Sequence, residues 1–119
     1  MDDTKKNGVM NPGTETEEEE ERWSLGKYGM RRDRYLSEQY PRLRERMIAD
    51  GTLTDYLYQL DEQATERVER MVEHMAAQAD LPDRKTQPYQ WAQHMTMLKA
   101  QAEEVVYREM IYTEEDEPD

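Results

Sequence analysis

Between Leu53 and Met75 the apolar side chains fall at Leu53, Leu57, Leu60, Ala64, Val68, Met71 and Met75, in steps of 4, 3, 4, 4, 3 and 4. That spacing places all of them on one face of an α-helix and offers no alternation from which a strand could be built. The ends of the helix are marked by punctuation. Gly51 precedes it, Thr52 or Thr54 offers an N-cap hydroxyl, Asp55, Asp61 and Glu62 lie toward the positive end of the dipole, and Leu81-Pro82 stops the run near Ala79. The pattern predicts a helix over about residues 54 to 79, roughly 39 Å long at 1.5 Å per residue. Glu66, Arg67, Glu69, Arg70 and Glu73 occupy the other side and read as a solvated face.

A second long helix is expected from Thr86-Gln87-Pro88, a threonine cap with an early proline, to about Tyr112. It presents Trp91, Met95, Leu98, Ala102, Val105, Val106 and then Met110. The connector Asp80 to Lys85 is short and polar, so the two helices should fold back as an antiparallel hairpin with Trp91 and Met95 near Met71 and Met75. Two shorter helices precede them. Arg31 to Tyr40 reads as one, with Tyr35 and Leu36 inward; Pro41 opens the other, with Leu43, Met47 and Ile48, and Asp50-Gly51 closes it with a left-handed turn. With β-branched residues scarce and no glycine-rich phosphate loop, the expected fold class is all-α: a small helical bundle in which short N-terminal helices cap a hairpin of two long ones. The methionines Met71, Met75, Met95, Met97 and Met110 sit at core-like spacing, although their flexible thioethers would also suit a partner surface. The chain has 119 residues and no phenylalanine, and one hairpin seam buries little apolar area; a homodimer through the hairpin would bury more.

The formal net charge is -12, and it is unevenly spread. Met1 to Arg22 carries -5, Trp23 to Gly51 carries +3, Thr52 to Tyr112 carries -5, and Thr113 to Asp119 carries -5. The terminal segments, with Glu17 to Glu21 at one end and Glu114, Glu115, Asp116 and Glu117 at the other, have too little apolar surface to offset an ordering entropy of about 1 to 2 kcal/mol per residue. Both are therefore expected to be acidic tails flanking one domain over residues 23 to 112. Such runs serve solubility, or imitate a nucleic-acid backbone toward a partner with a basic groove. Glu18, Glu19, Glu20, Glu115 and Asp116 are the candidate residues for the second use.

Chemistry-bearing constellations are few. Cysteine is absent, which removes disulfides, thiolate nucleophiles, iron-sulfur clusters and cysteine zinc sites, and suits a reducing cytoplasm. Neither His74 nor His94 has a carboxylate or second histidine three or four residues away on its face, so no metal or cofactor is expected. Asp61 or Glu62 beside the seam would suit acid-base work only with a partner that the sequence does not signal; a cap-forming or arginine-paired carboxylate is the expectation. No apolar run long enough to span a bilayer occurs, and Met1-Asp2-Asp3 lacks the basic-then-apolar order of a secretory signal; a cytoplasmic, membrane-free protein is expected.

The stretch from Lys27 to Arg46 concentrates basic residues interleaved with Tyr28, Tyr35 and Tyr40. Arg31, Arg32, Arg34, Arg42, Arg44 and Arg46 are the candidate partner-binding residues. Direct nucleic-acid binding is opposed by the acidic ends, by the acidic partners available to these arginines and by the lack of a basic recognition helix after the turn.

Gly29 through Tyr35-Leu36, Asp50-Gly51-Thr52-Leu53, Tyr56-Leu57, Leu60-Asp61-Glu62-Gln63-Ala64, Arg67, Trp91, Met95 and Glu109-Met110-Ile111-Tyr112 together resemble the transposon-encoded protein TnpV family. The Leu-Asp-x-x-Ala-x-x-Arg string and the Glu-x-Ile-Tyr ending are the most specific pieces, and the likeness runs from about Trp23 to Tyr112. Thr96 departs from it, the family usually showing asparagine there. The resemblance implies residence on a mobile element and a non-enzymatic accessory or regulatory role, and it brings no catalytic residues. The expected function is thus binding of a macromolecular partner, a protein, with nucleic-acid-binding proteins among the candidates. The alternative is an acidic inhibitor that blocks a host defence or DNA-processing protein, of the anti-restriction or anti-CRISPR kind.

Overall fold

The structure is a computed structural model that describes residues 24–117. It contains α1 (Lys27–Gln39), α2 (Pro41–Asp50), α3 (Leu53–Gln78) and α4 (Pro88–Val106), and α4 runs without a break into one π-helical turn, Tyr107–Ile111. The described residues hold no strand, and the molecule is the all-α bundle expected from its periodicity. The N-terminal acidic segment, with Glu18, Glu19 and Glu20, lies outside the described residues.

The stripe on α3 does what its spacing requires. Leu53, Leu57, Ala64 and Val68 are buried along it. They divide between two clusters. Leu53 and Leu57 pack with Leu25 and Leu36, flanked by Tyr40, Leu43, Met47 and Tyr56, so α1 and α2 cover the first half of α3. Ala64 and Val68 pack with Tyr28, Ala102, Val106 and Ile111, flanked by Leu60, Met71, Val72 and Met75. The partners of α3 run in the opposite direction along the last helix: Arg67 bridges to Glu109 at 2.6 Å, and farther along Val72 and Ala76 share a hollow with Met95 and Lys99.

α1 begins at Lys27 rather than Arg31, and its cap comes from another helix. The Asp61 carboxylate on α3 accepts the Gly26 N–H at 3.2 Å through Oδ2 and the Gly29 N–H at 2.9 Å through Oδ1. These are amides that a helix start cannot satisfy itself, and no local side chain caps them. Asp61 is therefore a capping carboxylate. The approach leaves no room for a side chain unless these neighbours shift: a Cβ on Gly26 would lie 2.6 Å from Asp61 Oδ2, and one on Gly29 would lie 2.6 Å from Leu25 Cδ1. α1 stops because Tyr40 precedes Pro41, which drives it out of helical backbone to φ -136°, ψ 57°.

α2 ends as expected at Gly51, with φ +74°, where Gly51 N–H donates to Ile48 O at 3.1 Å and Thr52 N–H donates to Met47 O at 2.9 Å. Two expected threonine caps are corrected. The Thr52 hydroxyl turns back toward Met47 O at 3.4 Å, and the residue at the start of α4 is Gln87, with Pro88 as the first helical residue and no side-chain cap. One core assignment changes too: Met71, Met75 and Met110 pack against the second cluster, but Met97 is 58% exposed.

Because one carboxylate satisfies two amides across helices, Asp61→Ala is expected to lower unfolding free energy by about 2 kcal/mol. Gly29→Ala should cost a comparable amount through its clash with Leu25, whereas Glu62→Ala, at an exposed neighbouring position, should change stability by less than about 0.5 kcal/mol. Urea titration followed by helical circular dichroism measures all three.

Candidate partner-binding site

Helical geometry sorts the basic residues of α1. Tyr28, Arg32 and Leu36 are four residues apart and all buried, so they form the inward stripe. Arg31, Arg34 and Tyr35 are turned away from it. With Met30, Arg44 and Tyr112 they line an open groove of about 960 Å³ along the outer side of α1. Each groove arginine is held by a neighbour. Arg31 donates to the Tyr112 hydroxyl at 3.2 Å and lies 4.8 Å from the centre of the Tyr107 ring. Arg34 pairs with Glu38 one turn on at 3.2 Å, and Arg44 reaches back from α2 to Asp33 at 2.8 Å. The tyrosines form a continuous edge, Tyr35 meeting Tyr40 at 5.8 Å and Tyr112 at 5.3 Å between ring centres, with Tyr112 against Tyr107 at 5.8 Å. Burial raises the Tyr35 pKa above its ordinary value, with Tyr40 adding to the shift.

Arg32 belongs to the interior. It is 1% exposed and is the only charged side chain fully buried among the described residues. Its Nε donates to Tyr56 Oη at 3.0 Å, Nη1 donates to Ile111 O at 2.9 Å and to Thr113 O at 3.3 Å, and Nη2 pairs with Glu115 at 3.1 Å. A guanidinium has five N–H donors in a rigid fork and is tolerated inside a protein only when they are met. Two residues expected to face outward, Arg32 and Glu115, thus meet each other. The acidic ending also lies against the bundle, since the Glu117 carboxylate accepts the Arg42 N–H at 2.9 Å and so caps α2. Asp116 is exposed, as are Arg42 and Arg46, whose guanidinium groups make no ion pair among the described residues. The structure therefore gathers Arg31, Arg34 and Arg44 at one groove and leaves Arg42 and Arg46 beyond it.

On the other side of α1, Glu103 of α4 accepts the Tyr28 hydroxyl at 2.7 Å and pairs with Lys27 at 2.5 Å. Burial works to raise the Glu103 pKa, but the bonds from Lys27 and Tyr28, with Lys99 nearby, outweigh it and hold the group below 4.5. The same arrangement pushes the Tyr28 hydroxyl up, through burial first and the adjacent carboxylate second. Sequence reasoning missed Glu103 and Tyr112 as neighbours of the basic stretch, because each contact spans 70 residues or more of chain. Among the described residues no group of three histidine, aspartate or glutamate side chains is placed to hold a metal ion, and no helix is long and apolar enough to cross a membrane.

Arg32→Ala is expected to cost about 3 kcal/mol, because it leaves the Ile111 carbonyl and Tyr56 hydroxyl without their donor, and Arg32→Lys should recover only part of this. Arg31→Ala at the surface should cost under about 1 kcal/mol by the same denaturant measurement. Glu103 makes stability pH-dependent. Its pKa is lowered by folding, so its contribution is complete above the ordinary value of 4.5 and is lost as pH falls through the folded value. Thermal melts between pH 6 and pH 3 should show a steeper acid loss for the native chain than for Glu103→Gln.

A family model described as transposon-encoded protein TnpV matches residues 3–111. The match reaches farther toward the N-terminus than the likeness read from individual residues and takes in the acidic run Glu17 to Glu21. No curated protein and no solved structure matches the chain. With the family model covering nearly all of its length, the chain belongs to the transposon-encoded protein TnpV family.

Proposed function

We propose that this transposon-encoded protein is a non-enzymatic accessory factor that acts by binding a partner protein through the groove on α1. The observation that supports this reading is the composition of that groove. Met30, Arg31, Arg34, Tyr35 and Tyr112 combine exposed apolar, aromatic and arginine surface, the residue types that dominate binding energy at protein interfaces. Met30 is 57% exposed and Tyr112 42% exposed, so both would lose water on contact. The arginine heads are already oriented by Tyr112, Glu38 and Asp33. Less side-chain entropy then has to be lost when a partner docks.

A second reading, the acidic inhibitor, is favoured by the C-terminal segment. Glu115 and Glu117 anchor it to Arg32 and to the start of α2, while Glu114 and Asp116 stay exposed between and beside the anchors. Two exposed carboxylates on an anchored segment form a fixed acidic edge, which a mimic of a nucleic-acid backbone needs.

Affinity capture from a host-like lysate tests both readings. The groove reading expects one discrete protein, retained at moderate salt by the native chain and lost by the pair Arg31→Glu, Arg34→Glu. The inhibitor reading expects nucleic-acid-binding proteins that are released by added DNA or RNA and by Glu114→Gln, Asp116→Asn. Capture unaffected by either pair would overturn both.

A further inference from the structure

The sole ionic side chain between Pro88 and Ala102 is Lys99, in a chain where 37% of residues are charged. Such a helix carries little charge on its outward side to keep a second uncharged surface away. α3 covers only the stripe that includes Ala102 and Val106, with Trp91, Met95 and Leu98 half-buried along it. On the outward side Tyr89 is 70% exposed and Met97 58% exposed. They border a shallow hollow of about 540 Å³ over Ala92, Gln93 and Thr96. The Thr96 hydroxyl donates to the Ala92 carbonyl at 2.9 Å, which satisfies its polarity within the helix. Along the whole outer part of the α3 and α4 pair, residues 69–101, no side chain is fully buried.

Two features point to a second copy of this chain as the occupant. The first is charge. Residues 69–101 contain four acids and four bases and are neutral, while the chain as a whole carries -12. Two copies repel each other over most of their surfaces but not here. The second is self-complementarity. Tyr89 and Met97 lie four residues to either side of Gln93, one turn each. In an antiparallel pairing centred on Gln93, each Tyr89 meets the other copy's Met97, and the two Gln93 amides face each other with donors and acceptors matched.

We propose that α4 pairs antiparallel with α4 of a second copy about a two-fold axis at Gln93. The proposal is independent of the α1 groove, and disulfide trapping in the full-length chain tests it directly. The chain has no native cysteine. Helix axes 8–10 Å apart, each with a Cα radius of about 2.3 Å, bring facing Cα atoms to about 3.4 to 5.4 Å, a span that overlaps the disulfide range of about 4.4 to 6.8 Å. Gln93→Cys should therefore form a disulfide-linked dimer of twice 14.3 kDa under mild oxidation. Tyr58→Cys, at an exposed position on α3, should remain largely monomeric. In sedimentation equilibrium the native mass should rise from 14.3 kDa with concentration, and Met97→Glu should weaken association by about tenfold or more. Its helical circular dichroism should be unchanged, since Met97 packs against nothing in the core. A mass of 14.3 kDa at every concentration, or a dimer indifferent to Met97→Glu and trapped no better at 93 than at 58, would overturn the pairing.

Discussion

The buried guanidinium of Arg32 is the interaction on which the rest of the bundle depends. It lies where α1, α3 and the chain's ending converge, and it is bonded to Tyr56 on α3, to the Ile111 and Thr113 carbonyls and to Glu115. An unpaired cation in that position would cost several kcal/mol. The geometry of its acceptors is therefore a condition for closing the fold, and the elements that carry them must arrive together. Hydrophobic contacts alone tolerate sliding of one helix on another, whereas a five-donor fork with fixed acceptors does not.

The π-helical turn explains how the last of those acceptors is delivered. At Tyr107–Ile111 the chain widens, and Tyr112 N–H bonds to Tyr107 O at 2.7 Å, five residues back. Ile111 ends the turn, so its carbonyl has no donor within the helix and accepts from Arg32, while the Ile111 side chain is fully buried in the cluster with Tyr28 and Val106. The segment beyond then runs past α1, so that Tyr112 reaches Arg31 and Tyr35, and Glu117 reaches the start of α2. One local irregularity thus connects the core to the groove. The groove's far wall, Tyr112, is positioned by the same turn that satisfies the buried charge.

Much of this was legible in the sequence, and the rest was not for identifiable reasons. The stripe from Leu53 to Met75 and the Gly51 turn depend on neighbours within one or two turns, so period and punctuation report them. The start of α1 depends on Asp61, more than thirty residues away, and Gly26 to Gly29 carries no local cap signal. Arg32 is chemically identical to Arg31 and Arg34; only its place four residues from both Tyr28 and Leu36 marks the inward face, a signal available from spacing once α1 is extended back to Lys27. The acidic ending misled for a related reason. A run of acids is solvated by default, but here individual carboxylates find a guanidinium and a helix start, each supplied by folding of distant segments.

The same contrast divides the molecule into two ends of different character. Around Arg32 and Glu103 specificity comes from directional bonds, and almost every described polar group there has a named partner. Along residues 69–101 such bonds are sparse and no side chain is fully buried; the helices are held by contact across one seam and by Arg84 lying 4.4 Å from the centre of the Trp91 ring. A seam between two helices encloses neither of them, so the outward side of each, with Tyr89 and Met97 on α4, stays in water. Exposed apolar area costs about 25 cal/mol for each Å² that a neighbour could have covered. Selection against aggregation ordinarily places charge on such a face. On α4 it placed tyrosine, alanine, glutamine, threonine and methionine, with charge on Lys99 alone. That choice is intelligible if the face is covered when the protein works, and it separates the two surfaces by chemistry: a polar, arginine-held groove at one end, and at the other a neutral arm suited to the pairing proposed above.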